Sequence, residues 1–253
     1  MLSRARQLSD EAPGSVAFLD FSERDFDQPQ ELAPVVLSRQ FWKRTIASSL
    51  GDIADLVAPE TLILCEGRPS AGTRAEFDAR ILRTIFQNHI PDADFLAIGG
   101  DRQVIDDQLG VGRAVEAVTP GTTVIRLIDK DDRSANEIEV LTQEDVRVLS
   151  RRNIEGYLLD EEVLRALCDT LGKTERWDEV RTARSTAHEG AVQGGKPDDD
   201  WKATKGDIYN ACKRILGLQQ AGSNADVFLS EQLAPLIAPG MQVYEELRDD
   251  IFE

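Results

Sequence analysis

Apolar residues along this chain recur in two periods. Between residues 60 and 150 short apolar runs alternate with amphipathic stretches, and beyond Asn153 only the helical period remains. The runs at 61–65, 94–98, 122–128 and 146–149 have the length and β-branched content of buried strands. Between them, residues 75–89 carry Phe77, Ile81, Leu82, Ile85 and Phe86 on one helical face. Residues 101–118 predict a second helix, interrupted near Gly110 and Gly112, and 134–144 a third. Strand and helix in alternation predict right-handed βαβ crossovers. The fold expected is therefore α/β, with a four-stranded parallel sheet covered on both faces.

On either side the pattern is different. Residues 16–21 read as a short strand, and Phe41, Trp42, Ile46, Leu50, Ile53, Leu56 and Val57 predict a helix ending at Pro59. After Asn153 come one helix over 157–171, another from Trp177, and a Gly, Pro and Asp loop over 190–200. Helices over 201–218 and 225–253 follow, the last divided at Pro235 and Pro239-Gly240. Three regions result: an N-terminal extension and helix (1–59), an α/β domain (60–165) and a C-terminal helical subdomain (166–253).

Charge changes the picture more than length does. The 253 residues hold 46 Asp and Glu against 29 Lys and Arg, a formal charge of −17, with 41% hydrophobic residues. The apolar fraction suffices for a core. No apolar run is long enough for a membrane span or a signal peptide, so a cytoplasmic protein is expected. Cys65, Cys168 and Cys212 are odd in number and far apart, as reduced buried thiols are. His89 and His188 are distant from each other and no CxxC or HExxH occurs, so a metal here needs oxygen ligands: magnesium, manganese or calcium. So acidic a chain is repelled by nucleic-acid backbones unless basic islands, metal ions or a partner intervene.

The acids lie where such metals bind. Glu66 closes the first strand, Asp129 and Asp131 follow the third, with Asp132 beside them, and Glu155 lies a few residues past the fourth. In an extended segment i and i+2 point the same way, so Asp129 and Asp131 are expected to share a ligand. Adjacent strand ends about 4.8 Å apart would bring these carboxylates around one or two hard cations, suited to an in-line attack on a phosphodiester. Arg147, Arg151 and Arg152 form a local basic island that could hold phosphate. Each has a structural alternative: Glu66 as an exposed strand-end acid, Glu155 as a first-turn helix acid, and Asp129, Asp131 or above all Asp132 as the cap of the helix near Ser134. Gly190 to Lys196 has phosphate-loop spacing, but Pro197 replaces the Ser or Thr that would hold magnesium and no β run precedes it.

An apolar strand ending in Glu66-Gly67, about sixty residues of βα units, and a second apolar strand running into Asp129-x-Asp131 resemble the Toprim domain of topoisomerases, primases and the overcoming-lysogenization-defect (OLD) nucleases. The likeness covers about residues 60 to 165. Phe77-Asp78-Ala79-Arg80 and the stretch from Leu149 to Leu159 resemble the OLD branch, which includes Toprim nucleases working beside ABC-type ATPases in phage defence, such as PARIS. That resemblance implies a Toprim, Rossmann-like core and a metal-dependent endonuclease acting on DNA or RNA with Mg²⁺ or Mn²⁺. It implies Glu66 as ligand or general base, Asp129, Asp131 and Glu155 as ligands, Asp78 as an extra ligand, and a late lysine as electrostatic helper. Lys205 is the candidate for that lysine and Lys202 the reserve, with Arg151 and Arg152 on substrate. The Arg68 to Arg74 insertion departs from the compact Toprim pattern.

A partner is expected too: nucleic acid, an ABC- or SMC-type ATPase, and a homo-oligomer or other source of positive surface. The rival from another class is a non-catalytic Toprim-like module whose acidic surface docks the ATPase.

Overall fold

A computed structural model describes residues 59–67, 76–107, 110–119, 121–218, 222 and 224–253. The elements expected at 16–21 and 38–58, and the Arg68 to Arg74 insertion, lie outside the described residues.

The sheet is four-stranded and all parallel: β1 (Thr61–Glu66), β2 (Ala93–Gly99), β3 (Thr123–Ile128) and β4 (Val146–Val148), in the order β2-β1-β3-β4. Thr61 stands opposite both Ala93 and Thr123, so β2, β1 and β3 start level and end level. Parallel neighbours need crossovers. These are α1 (Phe77–Phe86) between β1 and β2, α2 (Asp101–Ile105) and α3 (Val111–Val118) between β2 and β3, and α4 (Ala135–Gln143) between β3 and β4.

Strand alternation sorts the core into two layers. Ile63 and Cys65, Phe95 and Ala97, and Leu127 face α1 and the C-terminal helices. Leu62 and Leu64, Ile98, and Ile128 face the other way, where Val104 of α2, Leu141 of α4, Val111 and Val115 of α3 cover them. Both faces of the sheet are therefore buried, as the continuous apolar runs require.

The C-terminal chain runs through α5 (Ile154–Leu158), α6 (Glu161–Thr170), α7 (Trp177–Gln193), a 3-10 turn (Trp201–Thr204), α8 (Lys205–Ile215), α9 (Ala225–Phe228) and α10 (Gln242–Phe252). The boundary expected between 165 and 166 falls inside α6. One core holds Ile63 and Phe86 together with Leu164, Cys212, Phe228 and Leu247, on both sides of it.

Two helical expectations are corrected, and the division expected at Pro235 is present. The single helix over 157–171 is two, because the Asp160 carboxylate accepts the Glu162 N–H at 2.9 Å and starts a new helix. The loop expected from 190 begins only after Gln193, so the glycine-spaced segment lies on α7 and the turn that follows. After α9, a π turn (Leu229–Leu233) and a 3-10 turn (Ala234–Leu236) accommodate Pro235, which has no N–H to continue an α-helical ladder. No helix among the described residues is long and apolar enough to cross a membrane.

Candidate active site

The carboxyl ends of parallel strands form one edge of the sheet, and the acids collect there. Glu66 ends β1, and the chain turns at once: Gly67 has φ 127° and donates its N–H to Gly99 O at 2.7 Å. Gly99 has φ 141°, and a Cβ there would lie 1.9 Å from Gln103 Oε1. Both positions use backbone that L side chains rarely adopt, so the glycine after Glu66 is a requirement of the turn. Asp129 follows β3 directly and is 8% exposed. Its N–H donates to Glu66 Oε1 at 3.3 Å, which joins the two strand ends.

Helices bring the remaining groups to the same edge. Asp78 lies in the first turn of α1, three and four residues before the buried Ile81 and Leu82, so it sits within the inward stripe. Glu155 lies in the first turn of α5, whose N-cap Asn153 accepts the Gly156 N–H at 3.2 Å. Lys202 comes from the 3-10 turn beginning at Trp201. That indole is stacked on His188 at 4.5 Å, with the Arg184 guanidinium 3.8 Å above it, which fixes the turn. Lys205 opens α8, and Asp226 lies in the first turn of α9 behind its N-cap Asn224.

Glu66, Asp78, Asp129, Glu155, Lys202, Lys205 and Asp226 line a single cleft of about 670 Å³. A larger groove of about 910 Å³ runs between α7 and α8, lined by Ala183, Ala187, Ala211 and Ile215, and contains none of these groups.

The acids of the cleft strain against one another. Burial pushes the Asp78 carboxyl up to about 7, with the Glu155 charge adding to the effect. Asp129 is held well above the usual carboxylate range, by burial first and then by Asp78, Glu66 and Glu155. Glu66 is raised by burial, and Asp131 and Asp101 add to it, while the hydrogen bond from the Asp129 backbone opposes the rise. Burial lowers the pKa of both lysines. For Lys202 the charges of Glu155, Asp129, Asp78 and Asp131 outweigh it, and for Lys205 Asp226 and Glu155 do, so both ammonium groups are held protonated.

The structure thus unites Glu66, Asp78, Asp129, Glu155 and Lys205 and leaves three expected residues apart. Asp131 does not pair with Asp129 by strand alternation, because β3 ends at Ile128 and Asp131 turns into left-handed backbone at φ 46°. Its side chain is exposed, its N–H donates to Arg152 O at 2.9 Å, and it reaches the cleft only through its field on Glu66 and Lys202. Asp132 is not the cap of α4. Ser134 is, in a capping box with Glu137.

Arg151 and Arg152 are not a basic island open to phosphate. The Arg151 guanidinium donates to Glu246 Oε2 at 2.7 Å, Asp160 Oδ2 at 2.8 Å and Gly156 O at 2.8 Å, and Arg152, 7% exposed, bonds Asp132 and pairs with Asp199 at 3.4 Å. Arg151 fastens α10 to the loop after β4. Arg151→Ala is therefore expected to cost about 2 kcal/mol of stability, since it leaves two partly buried carboxylates without their cation. Urea denaturation checks this, and an unchanged midpoint refutes it.

Sequence reasoning missed Asp226 and ranked Lys202 second. Asp226 reads as an ordinary first-turn acid, and only the buried Leu229 and Ser230, three and four residues on, mark its inward face. Lys202 was the reserve lysine, yet Lys205 is already tied to Glu155 at 3.1 Å and Asp226 at 2.7 Å, while no ion pair joins Lys202 to another described residue.

No three His, Cys, Asp or Glu side chains among the described residues stand together as a ready-made ligand set for a metal ion. The donor chemistry nonetheless suits a hard divalent cation: carboxylate oxygens from β1, α1, β3 and α5, three of them raised by burial and mutual repulsion that such a charge relieves. Comparison of the chain with family models, curated proteins and solved structures finds no match.

Proposed function

We propose that this chain is a Toprim-type, divalent-metal-dependent nuclease. The observation that carries the reading is the cleft itself, in which Glu66, Asp78, Asp129 and Glu155 converge with Lys202 and Lys205 at the carboxyl edge of a parallel sheet. Glu66, Asp78, Asp129 and Glu155 would hold Mg²⁺ or Mn²⁺. When bound, the ion supplies Lewis-acid stabilisation of charge developing on a phosphate and a lowered pKa for water.

The residues divide the remaining work. Lys202, protonated and free of an ion pair with any described residue, takes a non-bridging phosphate oxygen of the substrate and offsets its charge. Lys205 is held by its two carboxylates and organises the wall of the cleft. Glu66, half-buried at the strand end, is placed either to hold the ion or to accept a proton from the attacking water. The backbone bond from Asp129 keeps that carboxylate at the strand end.

The deciding experiment incubates the full chain with plasmid, single-stranded DNA and tRNA in Mg²⁺, Mn²⁺ or chelator, beside Glu66→Gln. Cleavage of at least one substrate is expected with metal only, and Glu66→Gln is expected to reduce it by about 10²-fold or more. Cleavage that survives chelator or Glu66→Gln overturns the assignment. No cleavage in any condition, including with a candidate ATPase partner added, favours a non-catalytic module that docks such a partner.

A further inference from the structure

Lys205 is held on three sides. Its Nζ lies 2.7 Å from Asp226 Oδ1 on α9, 3.1 Å from Glu155 Oε1 on α5, and 5.3 Å from the centre of the Phe77 ring at the start of α1. The two carboxylates are unequal. Glu155 faces Asp78 and Asp129 across the cleft and its side chain is 2% exposed, whereas the Asp226 side chain is 13% exposed and the nearer of the two to the ammonium.

A first-turn aspartate is favoured by the helix dipole wherever it points. Asp226 instead points inward, at a lysine that also touches a member of the acid cluster. An ammonium shared between two carboxylates divides its charge between them. With one carboxylate neutralised, it moves fully onto the other. Here that other is Glu155, so the ammonium would occupy the oxygens a cation needs.

We infer that Asp226 is a positioning residue: as the nearer partner it takes the larger share of the Lys205 ammonium, which also bonds Glu155, and so leaves Glu155 more of its charge for a divalent cation, without touching the cation itself. This rests on the reading of the cleft as a cation site. Outer partners of metal ligands act in this way, and their loss weakens metal binding by about 10- to 100-fold.

Direct Mn²⁺ binding, followed by electron paramagnetic resonance on the full chain, tests the inference without any turnover. Asp226→Asn, which keeps the shape and removes the charge, is expected to bind Mn²⁺ about ten-fold more weakly than the parent chain. In a Lys205→Met background the same change is expected to do almost nothing, because the group it acts through is gone. Lys205→Gln serves the same cycle should the methionine variant not fold. Equal weakening with and without Lys205 overturns the inference, since it places Asp226 on the cation or in its direct field; an unaltered affinity in Asp226→Asn overturns it as well. A parent chain that binds no Mn²⁺ overturns the cation-site reading and the inference with it, an outcome recognised before any variant is compared.

Discussion

Asp129→Asn is expected to abolish metal-dependent cleavage, by about 10³-fold or more in kcat, and in the same protein to raise the melting temperature of the metal-free chain at about pH 8. The two effects have one cause. Asp129 is a buried carboxylate facing Asp78, Glu66 and Glu155, so in the absence of a cation its charge is a burden on the fold. Under the proposed function a bound cation makes that charge a ligand, and losing it would remove several kcal/mol of charge stabilisation, at 1.36 kcal/mol for each tenfold in rate. Asparagine keeps the shape and the backbone N–H that donates to Glu66. The stabilisation should be on the order of 1–3 kcal/mol, and it should shrink when Mg²⁺ is added to the parent chain. Single-turnover kinetics and thermal melts in chelator decide the matter. A variant that melts lower than the parent in chelator would show that Asp129 is structural, and a variant that still cuts would remove it from the site.

How far these residues were legible in the sequence depended on distance. The strands were visible because each is an apolar run bounded by turn residues, and no observed limit differs from the expected one by more than one position. Glu66 and Asp129 followed from those limits, since a strand end fixes where the next side chain emerges. Asp131 did not, because the alternation that would pair it with Asp129 stops where the strand stops, and the backbone turns left-handed within three residues.

The arginines failed for a different reason. The partner of Arg151 is Glu246, 95 residues away on α10, and no local pattern records so distant a pair. A run of basic residues therefore looked open to phosphate when the Arg151 and Arg152 guanidinium groups were already spent on carboxylates. Asp78 is the instructive intermediate case. Its spacing to Ile81 and Leu82 places it on the buried face of α1, a local signal that outweighs the habit of reading helical acids as solvated. Lys202 and Asp226 needed the placing of the 3-10 turn and α9 around the cleft, which only tertiary structure shows.

The metal-free chain should also lose stability as the pH rises. In chelator the melting temperature is expected to fall by about 5–10 °C between about pH 5 and pH 8, and Mg²⁺ should restore most of the loss at the upper end. The sign follows from the direction of the shifts. Asp78 is pushed up to about 7, and Asp129 and Glu66 are also raised, so the folded state binds these protons more tightly than the unfolded state does. Unfolded Asp and Glu titrate at about 3.9 and 4.3, so from there upward the folded protein carries the excess protons and stability declines with pH until the folded groups have also ionised. For Asp78 alone the shift of about three units corresponds to roughly 4 kcal/mol, and partial exposure together with its coupling to Glu155 reduces this to the order of 2–3 kcal/mol. The ordinary carboxylates work in the opposite direction. Glu246, lowered by its hydrogen bond from Arg151, loses its contribution on acidification through its own depressed range, which confines that effect to the acid side. The slope should flatten in Asp129→Asn and survive His188→Gln, assigning it to the strand-end cluster rather than to the ring stacked on Trp201. A melting temperature that is flat or rises over this interval in chelator, or an Mg²⁺ increment equal at both ends, would mean that the carboxylates do not repel one another, and the cation site would lose the electrostatic ground on which it stands.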